Sequence, residues 1–252
     1  NGGVITKQIN VTVTGTNDLP GFTVPQSPGD SSGAGFVENN GTLTATGTAS
    51  LADVDAIKRE IEGTIAVAPA ESRSVLAVNG GANRTTTATG TENDYFTARN
   101  LTFARGRAFT DTEIRGGKAV CVIGKTIATE LFGASDPIGQ SMRLKGMTCS
   151  VIGLLVAKGQ SMGGNDQDDL IVMPLKTLQG RIAGNTDVNM LFVSARSSAV
   201  TEKVRRDIEA LLRQRRHVSG TKDDFQVTDL KEIAATVQRT TGILTALLGA
   251  VA

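Results

Sequence analysis

A chain of 252 residues is long enough for one large or two ordinary domains and can bury a sizeable core. With 39% hydrophobic and 20% charged residues it reads as globular, neither disordered nor membrane-embedded, and a formal net charge of +1 argues against nucleic acid or an acidic substrate as partner. The absence of Trp, a single Tyr and 29 Gly imply a core of Val, Ile, Leu and Ala carried on strands joined by tight turns, hence a mixed, strand-rich α+β class.

Ile9 to Thr14 alternates Ile, Val and Val with Asn, Thr and Thr, the period-two pattern of a half-buried strand. Gly15 to Pro20 stops it. A Pro/Ser/Gly/Asp run from Pro25 to Gly35 shows no periodicity, and a second short strand is expected at Gly41 to Gly47. Val11-Thr12-Val13-Thr14-Gly15-Thr16-Asn17-Asp18-Leu19-Pro20 and Asn40-Gly41-Thr42-Leu43-Thr44-Ala45-Thr46-Gly47 resemble VCBS-type, cadherin-like repeats of secreted bacterial adhesins. The resemblance covers about the first 55 residues, half a repeat, and implies an incomplete β appendage over 1–49. Because such repeats can bind calcium at their junctions, it makes Asn17 and Asp18 weak calcium candidates, with a solvated turn as the alternative.

Ser50-Leu51-Ala52-Asp53 reads as a capping-box start, and Val54, Ile57 and Ile61 then share one helical face. Strands are expected at Thr64 to Ala68, Arg73 to Asn79 and Thr85 to Thr89. Ala119 to Ile123 is an apolar β-branched run, Lys125 to Phe132 a short helix closed by Gly133, and Met147 to Val156 another strand, together a βαβ-type unit. After a polar loop at Gly159 to Asp169 come strand Leu170 to Met173, helix Leu175 to Ile182 and strand Asn189 to Ala195. Val200, Val204, Ile208, Leu211 and Leu212 form an amphipathic stripe, and six basic side chains lie between Lys203 and Arg216. A last strand is expected at Phe225 to Thr228, followed by a helix from Asp229.

Gly124-Lys125-Thr126 between strand and helix invites a phosphate-loop reading, but the position of the leading glycine holds Ala119, and the intervening Val120 to Ile123 is an apolar strand. A plain strand–helix corner is the better reading. His217, the single histidine, sits at the end of a basic helix where it complements the helix C-terminus, so no Ser-His-Asp or Cys-His machinery is assembled. One histidine and two cysteines show no paired zinc-ligand spacing. Asn165-Asp166-Gln167-Asp168-Asp169 is oxygen-rich enough to consider calcium but lacks the EF-hand spacing. No catalytic residue and no cofactor are expected. No start methionine, charged n-region or apolar h-region opens the chain, so any targeting signal is expected to be absent or already removed, and the apolar Ile243 to Ala252 is half the length of a membrane helix, so 241–252 reads as the start of one or as a packed C-terminal helix.

Seven short stretches in order resemble the MacB-like periplasmic core domain of MacB/FtsX-type ABC transporter permeases. They are Asn93-Asp94-Tyr95-Phe96, Gly106-Arg107-Ala108-Phe109, Val122-Ile123-Gly124, Glu130-Leu131-Phe132-Gly133, Asp136-Pro137-Ile138-Gly139, Val151 to Leu155 and Asp223-Asp224-Phe225. The resemblance covers about residues 50–252 and implies a core domain over 50–240 with a nested β-rich subdomain near 95–157. It further implies no chemistry in this chain, a place on the periplasmic face of the bacterial inner membrane, and a role coupling ATP-driven motion to export. The implied partners are a second permease subunit, a periplasmic adaptor or exported substrate, and a separate ATPase domain. The alternative is a secreted adhesin-like binding module, from the first 55 residues. In the oxidising compartment that the resemblance implies, Cys121 and Cys149 can form a disulfide, provided that their shared face also holds Ile123, Met147 and Val151; two buried thiols are the alternative.

Overall fold

The computed structural model describes residues 10–14, 41–161, 164–216 and 225–229. Helix α1 (Leu51–Glu60) starts as its sequence dictates: the Ser50 hydroxyl accepts from Asp53 N–H at 3.2 Å and the Asp53 carboxylate from Ser50 N–H at 3.0 Å. The two strands expected after it are one, β3 (Thr64–Asn79). Pro69, which suggests a break, sits where β3 changes partners. Up to Ala70 it pairs antiparallel with β10 (Val188–Ala195), and from Ala70 onward with β4 (Ala82–Thr91). A residue without N–H fits a change of ladder, and its carbonyl accepts from Thr91 Oγ1 at 2.7 Å. Gly80 turns the chain into β4 with φ +57°.

The second half of β3 closes a ring. β4 pairs with β9 (Leu170–Pro174) in parallel, β9 with β6 (Val120–Ile123) antiparallel, and β6 with β8 (Met147–Leu155) in parallel. β8 pairs antiparallel with β7 (Ser141–Leu144), and β7 returns to β3 through Ala77↔Leu144. Val75, Ala77, Ile123, Leu144, Val151 and Met173 belong to the core of this six-strand barrel, against which α4 (Lys125–Phe132) packs Ile127 and Leu131. The β-rich unit therefore reaches beyond 95–157, drawing β4 and half of β3 from before it and β9 from after it. The β6–β8 pair, with α4 between, is the βαβ-type unit expected from the sequence, whereas the β4–β9 pair joins segments distant in sequence and leaves no local signal.

The first half of β3 belongs to a sheet whose strands run β11 (Gln226–Asp229), β2 (Gly41–Ala49), β10, β3. β2 pairs antiparallel with β10 and β11, and β1 (Asn10–Thr14) lies parallel to both of them. Leu43 on β2 is fully buried in the core that α1 and α6 (Ser198–Arg216) make with the sheet, beside Ile57, Leu191, Val204 and Ile208. The segment expected to stand apart as a β appendage thus supplies strands to the same sheet, since two strands alone cannot cover an apolar face.

Short elements fill the middle of the chain where no periodicity announces them: α2 (Asp94–Ala98), β5 (Phe103–Gly106) and α3 (Asp111–Gly116). The expected helix from Leu175 is α5 (Leu175–Leu178) continued by a π-turn, Gln179–Ala183. α3 is fixed by a capping box at Thr110 whose Glu113 also receives both terminal nitrogens of Arg107 at 2.8 Å. Arg107, then the Thr110 bonds, hold the Glu113 carboxyl down at about 2. A depressed carboxyl stabilises the fold above its ordinary pKa of about 4.5 and loses that contribution as the pH falls towards 2. Unfolding midpoints of Glu113→Gln should therefore lie below those of the parent at neutral pH and converge with them as pH drops through this window; a constant gap would refute the assignment.

Candidate functional site

The phosphate-loop look-alike and the acidic loop, far apart in sequence, meet at one corner. Gly124 N–H donates to the Leu170 carbonyl at 3.0 Å, and Thr126 Oγ1 donates to Asp166 Oδ2 at 2.7 Å. A Cβ on Gly124 would stand 2.1 Å from the Asp168 carbonyl oxygen, so glycine is there for close backbone packing. The Gly124 amide and the Thr126 hydroxyl, two of the groups that would cradle a phosphate, are committed to this contact. Calorimetric titration with Mg-ATP is expected to give no heat of binding; a micromolar Kd that disappears in Lys125→Ala would overturn that.

The acidic loop is tied by its own oxygens. Asp166 Oδ1 accepts from Asp168 N–H at 2.9 Å, Asp168 accepts from the N–H of Lys158 at 2.8 Å and of Gly159 at 2.9 Å, and Asp169 pairs with Arg84 at 2.9 Å. Burial pushes the Asp169 carboxyl up, but Arg84 outweighs it and holds the group below the usual range. Among the described residues no three His, Cys, Asp or Glu side chains stand together as metal ligands. Asn17, Asp18 and His217 lie outside the described residues, as does 241–252.

Cys121 and Cys149 are both fully buried and both free thiols, and they share the barrel core with Ile123, Met147 and Val151 as their face requires. The register sets Cys121 opposite Val151 and Cys149 opposite Met142, so the cysteines are offset along β8. Cys121 Sγ donates to the Ser150 carbonyl at 3.5 Å, and burial, with the Cys149 thiol beside it, pushes the Cys121 thiol up. A thiol held protonated and buried reacts slowly. We expect both to escape alkylation in the folded protein and to be alkylated quantitatively after unfolding without reductant; recovery of a cross-linked peptide pair by mass spectrometry would contradict this.

A feature without sequence signature lies next to the acidic loop: a cleft of about 460 Å³ between the end of α2 and the segment that follows β8. Arg99, the C-cap of α2, lays its guanidinium over the Phe192 ring, 5.4 Å from the centroid. Its Nε is buried and has no hydrogen-bond partner among the described residues. Lys158 donates to the Arg99 carbonyl at 2.8 Å. Burial, and then the charge of Arg99, push the Lys158 ammonium down to about 8 against the weaker pull of Asp168. Tyr95, Leu101 and Leu170 supply apolar wall. The two cations are 59 residues apart and sit at the ends of short or irregular segments, so no spacing rule links them.

Comparison with known proteins places this architecture. The sequence pattern of the MacB-like periplasmic core domain matches residues 4–211. The match begins well before residue 50, and no adhesin repeat is found. The macrolide export ATP-binding/permease protein MacB of Rhodospirillum rubrum is 35% identical over 202 residues, covering 79% of this chain and 30% of that protein. That of Chlorobium phaeobacteroides is 34% identical over 176 residues, 70% of this chain and 27% of that one. The chain spans less than a third of either relative. Among solved structures, the periplasmic region of MacB from Actinobacillus actinomycetemcomitans has the same fold, with TM-score 0.64 at 18% identity over 78% of this chain and 92% of that one. The extracellular domain of the transporter YknZ from Gram-positive bacteria gives TM-score 0.61 at 22% identity over 74% and 99%. No described helix is long and apolar enough to cross a membrane. With the pattern matching most of its length, the chain belongs to the family of MacB-like periplasmic core domains, the extracytoplasmic domain of a MacB-like ABC transporter permease.

Proposed function

We propose that this domain is a mechanical coupling and docking module of an efflux or lipoprotein-release type permease. It pairs with the same domain of a second subunit and passes motion from a separate ATPase domain to an exported substrate or a periplasmic adaptor. The observation that carries the reading is β3, one unbroken 16-residue strand whose first part is laddered into the sheet and whose second part is a stave of the barrel. A displacement applied to the sheet reaches the barrel through a continuous backbone ladder, with no flexible linker to absorb it. The relatives' names, export proteins that bind ATP, fit such a role. The secreted-adhesin alternative draws on the first 55 residues, whose strand β2 is part of this same sheet.

The test is exchange. This domain, put in place of the matching domain of the Rhodospirillum rubrum relative, should sustain macrolide export with ATPase turnover responsive to drug. A chimera that inserts and binds ATP yet exports no better than the same relative lacking the domain would overturn the proposal.

A further inference from the structure

The cleft beside α2 has the composition of a ligand site rather than of a gap in packing. Its volume falls in the range of small-molecule sites, and it combines apolar wall from Tyr95, Leu101 and Leu170 with two cationic residues, Arg99 and Lys158. The cations are positioned in advance. Arg99 lies over the Phe192 ring with its Nε buried and without a hydrogen-bond partner among the described residues, and Lys158 is held at both ends, its N–H by Asp168 and its ammonium by the Arg99 carbonyl. Asp168, the acid whose charge reaches Lys158, spends its oxygens on the backbone of Lys158 and Gly159. The charges of Arg99 and Lys158 disfavour one another, the Asp168 carboxylate offsets this only in part, and an anion between the two cations would complete the site.

The neighbouring acids decide which anion. Asp166 and Asp169 also line the cleft, engaged with Thr126 and Arg84. Their charge opposes a dianion more than a monoanion, and the planar guanidinium of Arg99 suits a planar acceptor. We propose that this cleft binds a singly charged carboxylate on an apolar body, its oxygens shared between Arg99 and Lys158. The assignment concerns this chain alone and does not depend on the coupling role.

Occupancy should follow Lys158. With its ammonium at about 8, the cation is present below that pH and lost above it, so a carboxylate binds more weakly as pH rises through 8 and, when bound, raises the Lys158 titration midpoint. Arg99, Asp166, Asp168, Asp169 and Tyr95 are the other ionisable groups facing the cleft or Lys158.

The experiment is an NMR titration of the intact chain with benzoate, N-acetylphenylalanine and the uncharged N-acetylphenylalaninamide, with sodium chloride as the ionic-strength control. Saturable shifts at Arg99 and Lys158 are expected with both carboxylates and not with the amide. Affinity should fall about tenfold in Arg99→Gln and in Lys158→Gln, and return in Lys158→Arg, which keeps the charge if the glutamine variant fails to fold. Tighter binding of N-acetylphenylalanine assigns the carboxylate to a peptide C-terminus, tighter binding of benzoate to a free organic acid. Carboxylate shifts no larger than those of chloride, equal binding of the amide, or saturation by inorganic phosphate alone would each overturn the proposal.

Discussion

Arg73→Met should destabilise the domain by about 3 kcal/mol, read from the urea midpoint at unchanged slope. Glu71 lies on the face of β3 that also carries Val75 and Ala77 into the barrel core, and its side chain is fully buried. Opposite it, Gly90 is packed so closely that a Cβ there would stand 2.5 Å from Leu178 Cβ, which leaves no room for water to solvate the carboxylate from that side. Its counter-charge is Arg73, two residues along the same face. Removing one partner of a buried ion pair costs about 3 to 5 kcal/mol; because the Arg73 side chain is 37% exposed, solvent screens part of the interaction and the lower end applies. Replacing both, Glu71→Met with Arg73→Met, should recover most of the loss, since two apolar side chains of similar length need no solvation. A single variant within about 0.5 kcal/mol of the parent would show that Glu71 is compensated elsewhere. The pair sits just past Pro69, where β3 leaves the sheet for the barrel, so the same substitution probes the joint on which the coupling role depends.

How far the fold could be read from sequence depended on whether a segment's partners were local. Ser50 and Asp53 cap each other across three residues, Lys125 to Phe132 is bracketed by Gly124 and Gly133, and the stripe from Val204 to Leu212 needs nothing outside its own helix to be recognised. β3 reads from sequence as two strands, Thr64 to Ala68 and Arg73 to Asn79; a proline within a strand ordinarily ends it, and what carries β3 through Pro69 is a change of neighbours visible only in three dimensions. The four- to six-residue elements α2, β5, α3 and β7 are too short for a period. The same logic governs the candidate sites. Gly124 was legible as a corner, but its close approach to Asp168 was not, and the Arg99–Lys158 cleft depends on Phe192 and Asp168, residues from two further segments. Its one local trace is a lysine at the end of a strong strand, which is too common to signal anything.

Leu144→Ala should cost about 2 to 5 kcal/mol, and the way the loss is distributed matters more than its size. Leu144 is fully buried at the seam that closes the barrel: β7 meets β3 through Ala77↔Leu144 and Val78↔Arg143 alone, while Leu144 also stands opposite Met147 on β8. A strand of four residues contributes few ladder bonds, so its side chain carries the closure, and truncating it leaves a cavity that the remaining strands cannot collapse around without opening the ring. The sheet core around Leu191, Ile57 and Ile208 is a separate cluster and does not touch that cavity. Native-state hydrogen exchange should therefore quicken at the amides of the second half of β3 and of β7 and β8, with β10 close to its parent rates. Leu191→Ala should do the reverse at a comparable cost. If both substitutions accelerate exchange equally throughout, the sheet and barrel unfold as one cooperative unit; β3 then transmits stability as well as position, and a perturbation at either end is felt in full at the other.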